Sequence, residues 1–173
     1  MKRSIRTALS VILLLAFTAC AVSCASSPSY KSDVKVEVLQ KNAEQVVKLD
    51  KEELSFKDMK KLAITTAEGL SDLFDGGDVG EYVVRYTGGY SCDEYGIFRF
   101  SNEDAAKKGL EKINAYLRSK ANDTTQRSYF GPEESRKYDE SEAKVFGCYL
   151  TYAILTGANR TAFFDQISSL LAA

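Results

Sequence analysis

With 173 residues, 45% of them apolar, the chain can bury the core of one ordinary domain and has none left for a second. With a formal charge of −1 it is a poor candidate for nucleic acid, which demands a basic stripe along the phosphate backbone, and no nucleic-acid partner is expected. Histidine is absent, which removes the commonest general base near neutral pH and the commonest metal ligand; neither a metal nor a cofactor is expected.

The chain opens with Lys2, Arg3 and Arg6, then an apolar run from Ala8 to Ala19, then small residues. That order predicts an export signal over 1–23, because the basic end stays on the cytosolic side while the apolar run is too short for a permanent span. Ala21-Val22-Ser23-Cys24 resembles the lipobox of bacterial lipoproteins, and Phe17-Thr18-Ala19-Cys20 fits the same pattern less well. The resemblance implies an acylated Cys24, with Cys20 as the alternative, and a protein held at the outer face of the cytoplasmic membrane. The polar run to Asp33 is expected to be a flexible tether over 24–33, with a single domain over 34–173. Two acyl chains hold a protein on a bilayer where one binds reversibly. Loss of three basic residues with the signal takes 23 basic and 24 acidic residues to 20 and 24, a net charge of about −4.

Val34 to Leu49 has two readings. Val34, Val36 and Val38 alternate with polar residues as in a half-buried strand, with Val46 to Leu49 as partner, while Leu39 to Lys48 also suits a helix. Ser55 with Asp58 offers a capping box, and Met59, Leu62, Ala63, Thr66, Ala67, Leu70, Leu73 and Phe74 recur at helical spacing, predicting one amphipathic helix over 55–74 closed by Gly76-Gly77.

Glu81 to Phe100 predicts a hairpin. Tyr82, Val84 and Tyr86 share one face of its first strand; Gly96, Phe98 and Phe100 share a face of the second, opposite Tyr95, Ile97 and Arg99. Phe98 and Phe100 are the expected core residues, with tyrosines at its border, and Gly88 to Asp93 reads as an extended loop. Ser101 with Asp104 reads as a second capping box, opening a helix to about Lys120 with an apolar stripe at Ala106, Leu110, Ile113 and Leu117. Ser119 to Glu142 is polar and reads mostly as loop, with Pro132 able to start a helical turn. A second hairpin follows, Ala143 to Phe146 and Tyr149 to Thr156, with a Gly147-Cys148 turn, then a helix from Arg160 to Leu171. The second of these strands is the most continuously apolar and is expected in the middle of the sheet. The resulting fold class is α+β, in the order α-β-β-α-β-β-α, with an antiparallel sheet of about four strands and helices on one of its faces.

Motifs for phosphate, dinucleotide, serine-nucleophile or zinc chemistry are missing. Asp72, Asp75, Asp78 and Glu81 recur every third residue but lack calcium-loop spacing and read as a solvated helix end. Tyr82, Arg85, Tyr86, Tyr90, Tyr95 and Arg99 form the candidate binding surface, since interfaces favour these two residue types; the competing reading is a tyrosine border on an exposed sheet face. Cys92 and Cys148 are a candidate disulfide outside the cytosol, against the plainer reading of two small semi-buried side chains.

Asp93-Glu94-Tyr95-Gly96-Ile97-Phe98, a following helix with Ala105-Ala106, Tyr129 near Pro132, and Gly147 before Tyr149 together resemble the small lipoproteins of clostridia and related Gram-positive bacteria that carry domain of unknown function 4358. The likeness covers about Ser55 to Leu171 and implies a membrane-anchored α+β domain with no assigned activity. Val34 to Leu49 and Cys148 depart from that pattern. The functional expectation is a lipid-anchored, non-catalytic binding or accessory module facing a protein or cell-wall ligand. The alternatives are an inhibitor of an exported enzyme, or a small enzyme using carboxylates or Cys92.

Overall fold

The computed structural model describes residues 29–67, 69–74 and 76–173; the signal and both candidate acylated cysteines, Cys20 and Cys24, lie outside the described residues. In chain order the elements are α1 (Val36–Val46), β1 (Lys57–Asp58), α2 (Lys61–Thr66), a 3₁₀ turn (Ser71–Leu73), β2 (Val79–Gly88), β3 (Ser91–Phe100), α3 (Glu103–Asn122), α4 (Thr124–Asp139), β4 (Glu142–Phe146), β5 (Tyr149–Ile154) and α5 (Gly157–Leu171). The fold is α+β, and the five strands among the described residues form one antiparallel sheet in the order β1-β2-β3-β5-β4.

Helices cover both faces of the sheet, not one. Val84, Phe98, Leu150 and Tyr152 face α3 in one core, and Tyr95, Ile97, Tyr149 and Ala153 face α1 and α5 in the other. The two-residue period delivers β3 to both cores, so a strand that alternates in sequence is buried along nearly its whole length. β3 holds the middle of the sheet; β5, expected there, is its neighbour and is equally buried.

Tyrosines lie inside these cores. Tyr95, Tyr116, Tyr149 and Tyr152 rank among the largest fully buried side chains, and each phenol donates to an internal acceptor: Tyr95 to Oε1 of the half-buried Glu44, Tyr149 to the half-buried Val34 carbonyl, and Tyr116 and Tyr152 to the buried Glu94 Oε1, all at 2.6 Å. Internal acceptors remove the cost that would otherwise keep a phenol at the border.

Several local expectations give way to tertiary contacts. The helix expected over 55–74 is divided: Lys57 and Asp58 pair with β2 as a short edge strand, and α2 is only six residues. Asp58 is an ion partner of Arg85 at 2.6 Å and caps nothing, while the Arg85 guanidinium also takes the Phe56 carbonyl, so the sheet edge outcompetes the helix start. In α3 the cap is Asn102, whose Oδ1 accepts from the Ala105 N–H at 2.9 Å, not Ser101. Residues 36–46 are helical, which resolves the ambiguity of Val34 to Leu49 in favour of the helix. Gly88 pairs with Ser91, so the first hairpin turns on Gly89 and Tyr90 alone and no extended loop exists; Cys92 and Asp93 belong to β3.

The stretch expected as loop after Ser119 is α4, broken at Gly131 (φ 80°, ψ 173°) and restarted at Pro132. Its two halves fold back on one another. Arg127 clamps both oxygens of Asp139 at 2.7 and 3.0 Å, and the Ser135 hydroxyl donates to the Arg127 carbonyl. With no sustained apolar stripe, this polar helix is held by those bonds and by its caps.

The described part of the stretch expected to be a tether is docked. Tyr30 bridges to Ala172, the Lys31 N–H donates to the Leu171 carbonyl at 2.8 Å, and Tyr30 packs edge-on against Phe146. Among the described residues no helix is long and apolar enough to cross a membrane.

Candidate functional site

The site forms where β3 outruns β5. Pairing between them ends at Glu94 and Ile154, so Ser91, Cys92 and Asp93 have no strand on that side. The second half of α4 occupies the gap. Glu134 Oε2 accepts the Cys92 N–H at 3.1 Å, and the Cys92 thiol donates to the Glu134 carbonyl at 3.1 Å. A side chain thus satisfies a backbone donor that a strand would otherwise have taken.

Between this corner and the first half of α4 opens a cleft of about 450 Å³. Met59, Tyr86, Tyr129 and Phe130 wall it, and Asp93, Glu94 and Lys120 are its charged lining residues. The size and the mostly apolar lining with a few polar groups suit a small molecule. At the surface beside it Tyr90, on the hairpin turn, stacks on Tyr129, with ring centroids 6.0 Å apart and planes 12° from parallel; both rings are largely exposed.

Glu94 is 5% exposed. Its Oε1 accepts from two phenols, whereas Oε2 faces Lys120 Nζ at 3.8 Å, too long for a hydrogen bond. Burial, reinforced by Glu94, holds the Tyr116 and Tyr152 phenols well above their ordinary range, so both act as donors. Lys120 also lies 5.3 Å from the centre of the Tyr116 ring.

Behind the cleft a second charge cluster pins α4 to β3. Lys137, 5% exposed, lies 2.9 Å from Asp93 Oδ1, 2.9 Å from Glu134 and 3.7 Å from Asp50. Burial alone would lower the lysine, but the hydrogen bonds it donates to Glu134 and the Asp93 carboxylate raise it above its ordinary value. Burial lifts Asp93 above the usual carboxylate range. For Glu134 the same effect is outweighed by bonds from Lys137 and the Cys92 N–H, which leave it below that range.

The six residues of the candidate binding surface do not share a surface. Tyr82 packs edge-on against Phe74 and beside Phe98 in the first core. Tyr86 walls the cleft, and Tyr90 stands beside it. On the opposite face, Arg85 is engaged by Glu44 and Asp58, Tyr95 is buried, and Arg99 pairs with Glu81 at 2.7 Å. The alternation of a strand separates them. Cys92 and Cys148 are both free and buried, one in each core, so the sheet stands between them and the candidate disulfide is not formed. Burial first, and then the neighbouring Glu134, push the Cys92 thiol up to about 12.

Sequence reasoning passed over Glu94 as a site residue, although the two-residue period already set it on the face of Phe98 and Phe100. A carboxylate in register with core aromatics was the available signal. Lys120, Phe130 and Lys137 carried none, since they reach the site only through the fold of α3 and α4. Among the described residues no group of acidic or cysteine side chains is placed to hold a metal ion. Comparison with family models, with curated proteins and with solved structures gives no match.

Proposed function

We propose that the chain is a lipid-anchored, extracytoplasmic binding module, non-catalytic, whose ligand site is the cleft between the β2–β3 hairpin and the first half of α4. The observation that carries this reading is the composition of the cleft: apolar and aromatic walls around a nearly buried carboxylate, one oxygen of which accepts no hydrogen bond among the described residues. Against a catalytic role for Cys92 stand its burial and a thiol held near 12, which keep the nucleophilic thiolate scarce at neutral pH. The anchoring rests on the sequence of the first 24 residues and on the resemblance to membrane lipoproteins.

Each half of the reading has its own experiment. The chain contains no tryptophan, so Thr125→Trp, on the cleft wall, introduces a single fluorescent reporter. A screen of small amphipathic compounds is expected to yield saturable changes in its emission; compounds that bind the protein but leave this emission unchanged would place the ligand site elsewhere. For the anchor, labelled palmitate supplied to producing cells is expected to enter the protein and to be lost when Cys20 and Cys24 are both replaced by serine. Retained label in that variant sinks the lipoprotein reading.

A further inference from the structure

We infer that the cleft takes a small amphipathic cation, an aromatic or branched apolar body carrying one primary ammonium group, with the ammonium against the free oxygen of Glu94; this rests on the cleft being the ligand site. Glu94 Oε1 is saturated by Tyr116 and Tyr152, while Oε2 accepts no hydrogen bond among the described residues and has only Lys120 nearby, 3.8 Å away. Glu94 lines the cleft, so a donor entering there can take up this open acceptor. The charge of the surroundings selects the donor. Among the described residues the cleft is lined by two carboxylates, Asp93 and Glu94, and one ammonium group, that of Lys120, while Lys137 behind it is shared among Asp93, Glu134 and the exposed Asp50. One further cation balances the cluster better, and an anion would find Lys120 alone. Tyr86, Tyr129 and Phe130 line the cleft and suit the apolar body, and aromatic ring faces also attract ammonium groups.

Met59 lines the cleft and is the sole methionine besides Met1, so a methyl-labelled methionine reports on occupancy directly. The full chain in detergent micelles is titrated with phenylpropylammonium, the neutral phenylpropanamide and the anionic phenylpropionate. The ammonium compound is expected to move the Met59 signal at concentrations at least about ten-fold below the other two. Glu94→Gln, which keeps an acceptor for both phenols, is expected to abolish that preference. Lys120→Met, which removes the competing ammonium, is expected to tighten the cation severalfold, an effect that loss of structure does not produce. Equal response to the amide, or a preference for the anion that disappears in Lys120→Met, overturns the cationic class while leaving the cleft as a binding site. No movement of Met59 with any of the three overturns the cationic ligand and counts against the cleft itself.

Discussion

A carboxylate that accepts two phenols on one oxygen can be taken apart one bond at a time. Tyr152→Phe and Tyr116→Phe each remove a single donor to Glu94 and leave the ring in place. Each is expected to lower stability by about 1–3 kcal/mol, since the remaining carboxylate is less completely satisfied in a buried setting. Urea unfolding of the two single variants and the double variant checks this, and strict additivity would mean that the two bonds do not share an acceptor as described. The cysteines make a second prediction at this scale. Both thiols are free and buried, so a non-reducing digest after alkylation in denaturant is expected to carry label at Cys92 and at Cys148, whereas alkylation of the folded chain is slow at both. Recovery of a linked peptide pair would overturn their placement in separate cores.

Two elements depend on a glycine for different reasons. At Gly96, in the middle of β3, an added Cβ would sit 2.3 Å from the Tyr152 ring and 2.8 Å from the Phe98 ring. Neither ring has room to retreat, since both are fully buried. Gly96→Ala is therefore expected to cost about 1–3 kcal/mol through overpacking, read as a lower melting temperature. At Gly131 space is open and the backbone is the constraint, with φ 80° and ψ 173° in a region that side chains strongly disfavour. Gly131→Ala is expected to loosen the corner of α4. The fold as a whole should persist, because Arg127–Asp139 and Lys137–Asp93 still tie the halves down, but the cleft wall carrying Tyr129 and Phe130 should shift. Hydrogen exchange confined to 124–139 is the matching observation, and global loss of protection is the opposing one.

For the molecule as a whole, the buried phenols dictate how it responds to alkali. Tyr95, Tyr116, Tyr138, Tyr149 and Tyr152 are all held above the ordinary tyrosine value of 10.0, in each case chiefly by burial. A folded state that keeps these protons more tightly than the unfolded chain has their full stabilising contribution below that value and loses it as pH rises from there toward the folded values. Lys137 acts in the same direction, its contribution complete below the ordinary lysine value of 10.5 and lost as pH climbs through its raised folded value. On the acid side the groups oppose. Glu134, lowered, stabilises above its ordinary 4.5 and stops doing so as pH falls through its folded value, while Asp93, raised, favours the folded state as it takes up its proton. The expectation is a cooperative alkaline unfolding in which tyrosinate absorbance and loss of circular dichroism rise together. Phenols that titrate while the dichroism stays constant would contradict their burial.

The α+β class, both hairpins, the core positions of Phe98 and Phe100, and helices at Leu110 and Phe163 were legible in the amino-acid order alone, because each rests on a strong two- or 3.6-residue period that no tertiary contact here overrides. The other features depend on contacts between segments far apart in the chain. Whether a strand is covered on one face or two depends on where distant helices return, so the burial of Tyr95 beside Glu44, 51 residues away, had no local sign. The helix expected over 55–74 lost its beginning to an edge pairing with β2, and the polar stretch after Ser119 became a helix through bonds made between its own folded halves. The candidate site shows the same division. Glu94 was placed on the core face by its position in a strand, but the oxygen it leaves free, the lysine beside it and the aromatic walls around it exist only once α3 and α4 have closed over the end of β3.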